Sequence, residues 1–499
     1  MPQSTDTTFD VVVVGGGGAG LAAASEAARL GRSVVLLEKN PEPGGTTSWS
    51  VGSITATNTP HQQRAGIQDT PREHFEDLGR FAGALAPRDN LALRRILVEH
   101  TNEILDWLMS HGVVFVGPMP EPPHRHPRMH NVVPNSRSFA YHLERYCRSL
   151  GVDIRVKTPV NRLVTQGQRV VGVEATDAAG AVQEFRARGA VVLAAGDYSA
   201  GRELKAEFAS ASLAEVDAVN VTSTGDGHRM ARELGAVVLN GDIISGPYMR
   251  FIPPTRANWL RELPPWRPLA RLMAWCYEQL PPSLLRPFLM SFLTTALGAS
   301  PNLFKHGAIL VNRSGKRYTD ELGKPNLDTA KQPERMAWIV FDHAIARAFS
   351  AWPNYVSTAP GVAYAYLADY RRNRADIYHQ SATLEGLARS MGVPSEALPR
   401  AVSEYNLSER ADRPALDTAP FYALGPVRSY IVFTDGGLKV TERLEVTRAD
   451  GSVIPGLFAA GSNGQGGLLL EGHGHHLGWA FISGRIAGRN AAYEVQRNP

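Results

Sequence analysis

At 499 residues the chain can hold two or more domains with ample core, and its 43% hydrophobic and 20% charged content is that of a globular protein. A net charge of +4 over that length provides no electrostatic footprint for nucleic acid. Two isolated cysteines (Cys147, Cys276), a short polar N-terminus (Met1 to Thr8) and no apolar run of the ~18 residues that span a bilayer argue against a disulfide framework, a signal peptide or a membrane anchor, and point to a cytoplasmic protein.

The first predicted elements form one unit. Phe9 to Val14 is an apolar run of the kind that makes a buried parallel strand. Six residues follow, Gly15 to Gly20, with GxGxxG at Gly15, Gly17 and Gly20. Leu21 to Leu30 is an Ala-rich helix stopped by Gly31, and Ser33 to Leu37 is a second strand that ends on Glu38. Strand, glycines, helix, strand and acid fall in the order of a dinucleotide-binding βαβ unit. Gly15 allows the tight turn, Gly17 lets backbone approach a pyrophosphate, and Gly20 lets helix and strand pack closely. The start of the helix offers free N–H groups to phosphates, and Glu38 can accept from a ribose diol.

Next, Gly44 to Gly52 is rich in small and hydroxyl residues suited to reach a flat ring system. Residues 71–111 show helical spacing, with Phe75, Leu78 and Phe81, then Ile96, Ile104, Leu105 and Leu108. Pro118 to Pro134 contains His124, His126 and His130; their spacing matches no usual metal site, and the stretch reads as a solvated loop. A short helix over Leu143 to Leu150 leads into a β-meander: Val160 to Val164, Val170 to Ala175, Val182 to Ala187 and Ala190 to Ala195. Thr224 to Gly227 then opens a helix, with Asp226 as a cap or a ligand.

Prolines break residues 241–300 into short pieces. Leu269, Leu272, Met273, Cys276 and Leu280 share one predicted helical face, opposed by Arg267, Arg271 and Glu278, and Leu284 to Leu293 is a second apolar stretch. One reading is a cap packed on the main body. The other is an interfacial helix pair within 257–300 that makes peripheral contact with a membrane. Beyond it lie strands in Gly307 to Glu321 and Trp338 to Asp342, polar helices over 376–416, two strands in Val432 to Val446, a strand at Gly456 to Gly461, and a helix from Leu477 to Tyr493 with Gly478, Ala480, Gly484, Ala487 and Gly488 as small contacts.

These pieces together resemble the flavoproteins that include fumarate reductase, the succinate dehydrogenase flavoprotein and the 3-ketosteroid dehydrogenases. The resemblance rests on Gly15 to Gly20, Gly44 to Thr47, Ala194 to Gly196, Thr224 to Gly227, Ile309 to Glu321, Gly436-Gly437, Ile454 to Gly461 and Gly478 to Ala487, in family order along nearly the whole chain. It implies an α/β fold: a Rossmann-like FAD-binding domain of parallel sheet plus β-meander in two parts, 1–244 and 431–499, with an α+β cap domain, 245–430, inserted between them. It implies FAD. The glycine loop carries over as Gly15, Gly17, Gly18, Ala19 and Gly20, followed by Glu38 and Lys39. The second motif carries over as Gly44, Gly45, Thr46, Thr47 and Gly52. Val160, Ala194, Ala195, Gly196 and Asp226 come next, then Gly461, Ser462, His476 and Leu477. Succinate dehydrogenases attach FAD through a histidine near the second motif; residues 44–52 have none, so the expected FAD is non-covalent.

The departures from the family bear on substrate. Fumarate reductases hold a dicarboxylate with a His-Pro, a His-Thr-x-Gly-Gly and an Asn-Arg-Leu-Gly. These fall here on Gly246-Pro247, Phe433 to Gly437 and His475 to Gly478, so the carboxylate-binding side chains are missing. The proton-donating arginine after Phe-Asp is matched by Arg347, one residue out of register after Phe341-Asp342. A dicarboxylate would be desolvated with little compensation. The expected reaction is therefore dehydrogenation beside the carbonyl of a lipophilic cyclic or steroid-like ketone. It needs a donor for the oxygen, a base for the α-proton, and flavin N5 for the hydride. The catalytic candidates are His475, His476, Tyr318, Tyr430 and Arg347, drawn from a set that includes Tyr248, Tyr364, Tyr366 and His473. No metal site is expected. The expected partners are a small ketone or enone and an external electron acceptor, since the chain carries no iron–sulfur or haem motif. An enoate reductase for an anionic substrate and a non-catalytic electron-transfer subunit are the alternatives.

Overall fold

The computed structural model describes residues 7–254, 262–359, 363–410 and 412–497. Its first unit is β1 (Thr8–Val14), α1 (Gly18–Arg29) and β2 (Val34–Leu37). The two strands pair in parallel with Val11 opposite Val34 and Val14 opposite Leu37. The strand Val182–Leu193 lies parallel on the other side of β1, Val453–Ala459 lies beyond it, and Asp153–Arg155 flanks β2. Val11 to Val13 and Val35 to Leu36 are fully buried, as expected of a parallel sheet covered on its faces by helices.

The meander of the sequence reading is present with one difference. Its last two expected strands are a single one, Val182–Leu193. The first half pairs antiparallel with Arg169–Thr176, and the second half pairs parallel with β1. The helix His475–Arg497 packs along α1. The contact is backbone-close: a Cβ on Gly484 would lie 2.3 Å from the Ala19 carbonyl oxygen, and one on Gly488 would lie 2.2 Å from that of Ala23.

A second, six-stranded sheet is built around Phe421–Ile431, which pairs with Ala337–Phe341, Tyr248–Phe251, Tyr378–Ser381 and Asp217–Ala218; Ile309–Asn312 forms its edge. It has its own hydrophobic core, in which Leu310, Ile339, Phe341, Leu387, Tyr405 and Leu424 are fully buried.

Two expectations fail here. The stretch Pro118 to Pro134 is no solvated loop. It belongs to a three-stranded sheet of Ser53–Thr55, Met129–Val133 and Val114–Met119. Between its strands Arg128 is fully buried, with Nη2 2.7 Å from Asp69 Oδ1 and Nη1 2.6 Å from Asp77 Oδ2. Two buried carboxylates need a cation, and the loop folds inward to supply it. The helix Arg267–Gln279 keeps only part of its expected inward face: Leu269, Met273 and Cys276 are half-buried and Arg267, Arg271 and Glu278 exposed, but Ala274 and Tyr277 make the packing on Val116, Met119 and Met129, and Leu272 is 56% exposed. Residues 257–261 of the expected membrane-touching segment lie outside the described residues. Among the described residues no helix is long and apolar enough to cross a membrane.

Replacing Arg128 with Met should cost about 3–5 kcal/mol, chiefly because Asp69 would remain buried with neutral donors such as Gln62, while Asp77 keeps Arg80 and Arg125. Equilibrium unfolding in urea measures this; a loss below about 1 kcal/mol would show that the carboxylates are stabilised by other groups.

Candidate functional site

A cavity of about 1140 Å³ lies against the glycine loop after β1 and extends to the second sheet. The glycines divide by role. A Cβ on Gly15 (φ +102°) would lie 2.5 Å from the Ala194 carbonyl oxygen, and one on Gly20 would lie 1.8 Å from that of Gly15, so packing alone forbids a side chain at either. A Cβ on Gly17 would meet only the Gly44 oxygen at 3.9 Å. Glycine there leaves bare backbone facing the cavity, which is what a pyrophosphate needs.

At the tip of β2 the buried Glu38 accepts from the Gly16 amide at 2.6 Å and from the Asn40 amide at 2.7 Å. Each carboxylate oxygen keeps a lone pair toward the cavity that Glu38 lines. Lys39 Nζ donates to Thr224 Oγ1 and Asp226 Oδ2, both at 2.7 Å, which fixes Asp226 as a cavity-lining anion and not as a helix cap. Gly18, Ala19, Gly45, Thr46, Thr47, Gly52 and Val160 line the same space. So do Ala194, Ala195, Gly196, Gly461, Ser462, His476 and Leu477. Gly20 and Gly44 lie behind the lining and shape the loop. Bare backbone, a ribose-ready carboxylate and small residues along one wall together fit FAD.

Away from the glycine loop the lining is largely apolar, with Phe81, Met249, Leu297, Phe304 and Phe433. The cavity also meets two histidines with opposite surroundings. His476 lies against the Phe433 ring, with centroids 4.0 Å apart, and its Nε2 is 3.4 Å from Asp435 Oδ1. Burial pushes the His476 imidazole down to about 4 and the Asp435 carboxyl up to about 6. His473 instead bonds the Glu121 carboxylate through Nδ1, and its backbone amide donates to the same group at 2.9 Å. That contact raises the His473 imidazole above its usual range. Burial works to raise the Glu121 carboxyl, but its bonds to His473 leave it below the ordinary value.

Four of the expected catalytic residues do not line this cavity. His475 is fully buried, with Nδ1 2.6 Å from the Glu471 carbonyl and Nε2 3.2 Å from His74 Nε2; burial pushes it down to about 3. It precedes His476 at the start of one helix, where successive side chains point about 100° apart, so the two diverge. Tyr318 is tied to Thr329 Oγ1 at 2.6 Å. Tyr430 sits on the second sheet opposite Tyr248. Arg347 faces solvent, because Asp342 caps the helix His343–Ala348 and that register turns the arginine outward. Of the five tyrosines considered, Tyr248 borders the cavity.

Sequence reasoning missed Glu121 and the placement of Asp435 beneath His476. Glu121 is 352 positions from the histidine it holds, and nothing local to Pro120-Glu121-Pro122 signals the pairing. It also missed that His74, His124 and His475 gather, with one ring nitrogen of each within 4.8 Å of the others. Arg128 Nη1 donates to His124 Nδ1 at 2.8 Å in that cluster.

A family model described as an FAD binding domain matches residues 10–248 and 267–468. A probable fumarate reductase of Shewanella frigidimarina is 27% identical over 513 residues, covering 97% of this chain and 75% of the relative. Among solved structures, the open conformation of a flavocytochrome c3 fumarate reductase aligns with a TM-score of 0.73 at 25% identity, covering 98% of this chain and 79% of the other. A 3-ketosteroid-Δ4-(5α)-dehydrogenase from Rhodococcus jostii RHA1, solved with 4-androstene-3,17-dione, aligns with a TM-score of 0.60 at 25% identity, covering 99% and 98%.

Two outcomes follow from the site. Acid precipitation should release the yellow chromophore into the supernatant, and Glu38→Ala should weaken FAD binding to apoprotein by about 1–3 kcal/mol in a fluorescence titration. Flavin that stays with the pellet would contradict non-covalent binding. The His473–Glu121 contact should show in stability against pH. The raised His473 contribution is complete below its ordinary 6.5 and is lost as pH rises through the folded value. The lowered Glu121 contribution is complete above its ordinary 4.5 and is lost as pH falls through the folded value. The melting-temperature gap between wild type and Glu121→Gln should therefore be widest between pH 4.5 and 6.5 and narrow on either side. A gap independent of pH would mean that the pair is not ionic.

Proposed function

Because the chain belongs to this FAD-binding flavoprotein family and is an FAD-dependent oxidoreductase, we propose that it acts on the carbon–carbon bond beside the carbonyl of a lipophilic cyclic ketone or enone. In this reading residues 1–244 and 431–499 hold the cofactor, 245–430 cap it, and an external acceptor completes the electron balance. Bound FAD supplies the two-electron chemistry at the cavity.

The observation that carries the reading is the pair of cavity histidines in opposite surroundings, His473 bonded to the Glu121 carboxylate and His476 packed on Phe433 beside Asp435. Opposed environments of this kind assign acid and base roles. His473, bonded to Glu121 through Nδ1, has Nε2–H left to donate to the substrate carbonyl and to the enolate that develops from it. His476 is neutral, and its Nε2 faces Asp435. That leaves Nδ1 as the base for the acidified α-proton, with the Asp435 carboxylate offsetting the positive charge gained. The apolar lining around Phe304, Leu297 and Phe433 excludes water from the reacting carbons.

One observation favours a second reading. Arg250 and Lys305 also line the cavity, and two cations there would suit an anionic substituent, as in an enoate reductase.

Anaerobic flavin bleaching by a panel of cyclic ketones tests the first reading. His476→Ala should slow it about 10²–10⁴-fold with FAD still bound. Equal rates in wild type and variant would remove His476 from the chemistry. Rapid turnover of unsaturated carboxylates with no response to ketones would give preference to the second reading.

A further inference from the structure

We propose that the outward face of the helix Arg267–Gln279, with the turn into the helix Pro282–Ala296, docks on a lipid bilayer that carries anionic headgroups. The inner face of the first helix already has a partner, since Ala270 is buried and Ala274 and Tyr277 pack on Val116, Met119 and Met129. The outer face is nonetheless apolar. Trp266 is 59% exposed, Leu272 and Trp275 each 56%, and Leu284, just past the turn, 57%. Pro268, Leu272 and Trp275 recur at the spacing of one helical stripe, so these side chains form a row and not a scatter.

The chemistry of the row points to a membrane surface and not to a protein groove. Tryptophan pairs an apolar ring with a polar N–H, and suits the boundary between hydrocarbon and headgroups. Arg267 and Arg271 are exposed beside the stripe and have no ion pair among the described residues, whereas Arg286 on the next helix is held by Asp369 at 2.7 Å. Unpaired arginines next to an apolar stripe complement anionic headgroups; Glu278, also exposed, lies towards the far end of the helix. No helix among the described residues can cross a bilayer, so the attachment is peripheral.

The surface is also joined to the cavity. Pro282–Ala296 runs directly into Leu297, Gly298 and Ala299, which line it. A bilayer under these helices would therefore place a reservoir of apolar substrate beside the cavity wall. This delivery role rests on the lipophilic-substrate reading above; the docking surface does not.

The test uses FAD-loaded full-length protein and flotation with phosphatidylcholine vesicles, with and without phosphatidylglycerol. Wild type should float with the anionic vesicles, with a blue-shifted tryptophan emission that brominated lipid quenches. Trp266→Ser with Trp275→Ser should lower the bound fraction about tenfold while leaving FAD content unchanged. Arg267→Glu with Arg271→Glu should remove the preference for anionic vesicles. The proposal is overturned if wild type stays unbound at low salt, or if the tryptophan variant floats equally well. It is also overturned if light scattering shows a wild-type dimer that the tryptophan variant converts to monomer, because a second copy would then be the occupant. Vesicle binding without ketone-driven bleaching would keep the docking surface and remove the substrate reading; the reverse result would do the opposite.

Discussion

The close contact between α1 and the helix His475–Arg497 is the constraint on which the site depends. At Gly484 and Gly488 the last helix comes so near the Ala19 and Ala23 carbonyls that no side chain fits between them. Backbone-close packing fixes the axial position of one helix against the other far more tightly than long side chains would. The start of α1 carries Gly18 and Ala19, and the start of the last helix carries His476 and Leu477; all four face the cavity. Shifting one helix by a turn would separate the glycine loop from the histidine. Larger residues at those two glycines would therefore disturb the chemistry without touching it.

The electrostatics of the site are set by how much water each group keeps. His473 and His476 share one stretch of chain, yet a carboxylate shifts one imidazole upward and burial shifts the other downward. The first effect needs a partner brought from Glu121, and the second needs only apolar neighbours such as Phe433. Asp435 adds a reserve of negative charge beneath the neutral ring. Arg250 and Lys305 place positive charge on the far part of the wall.

What was legible in the sequence was local. β1, the glycine loop, α1 and β2 lie within one short stretch, and each residue's role follows from its neighbours. The cofactor wall could be read for the same reason, as a set of short motifs. The surroundings of the two cavity histidines could not, because they are assembled across the chain. Glu121 reaches His473, and Asp69 and Asp77 draw Arg128 inward, over separations that no periodicity encodes. Periodicity also gives a helix an apolar face without saying which face finds a partner. Around Leu272 the residues Ala270, Ala274 and Tyr277 pack inward, and Leu272 and Trp275 stay outside. His475 and His476 show the same limit: adjacent in sequence, they are divided between a buried cluster and the cavity.

The order of strands in the main sheet has a consequence for biosynthesis. β1 sits between β2 and Val182–Leu193, but Val453–Ala459 must also join before that sheet is complete. The six-stranded sheet draws almost all of its strands from Tyr248 to Ile431 and has its own core. During translation that inserted core emerges whole while the main sheet is still missing two strands, Glu445–Thr447 and Val453–Ala459, and the helix that follows them. Gly461, Ser462 and Leu477 complete the wall beside the start of α1, where a Cβ on Gly461 would lie 2.9 Å from that of Ala19, so this wall forms only after they leave the ribosome. The cavity wall is thereby finished last, and until then the sheet has an unpaired edge of the kind that chaperones shield.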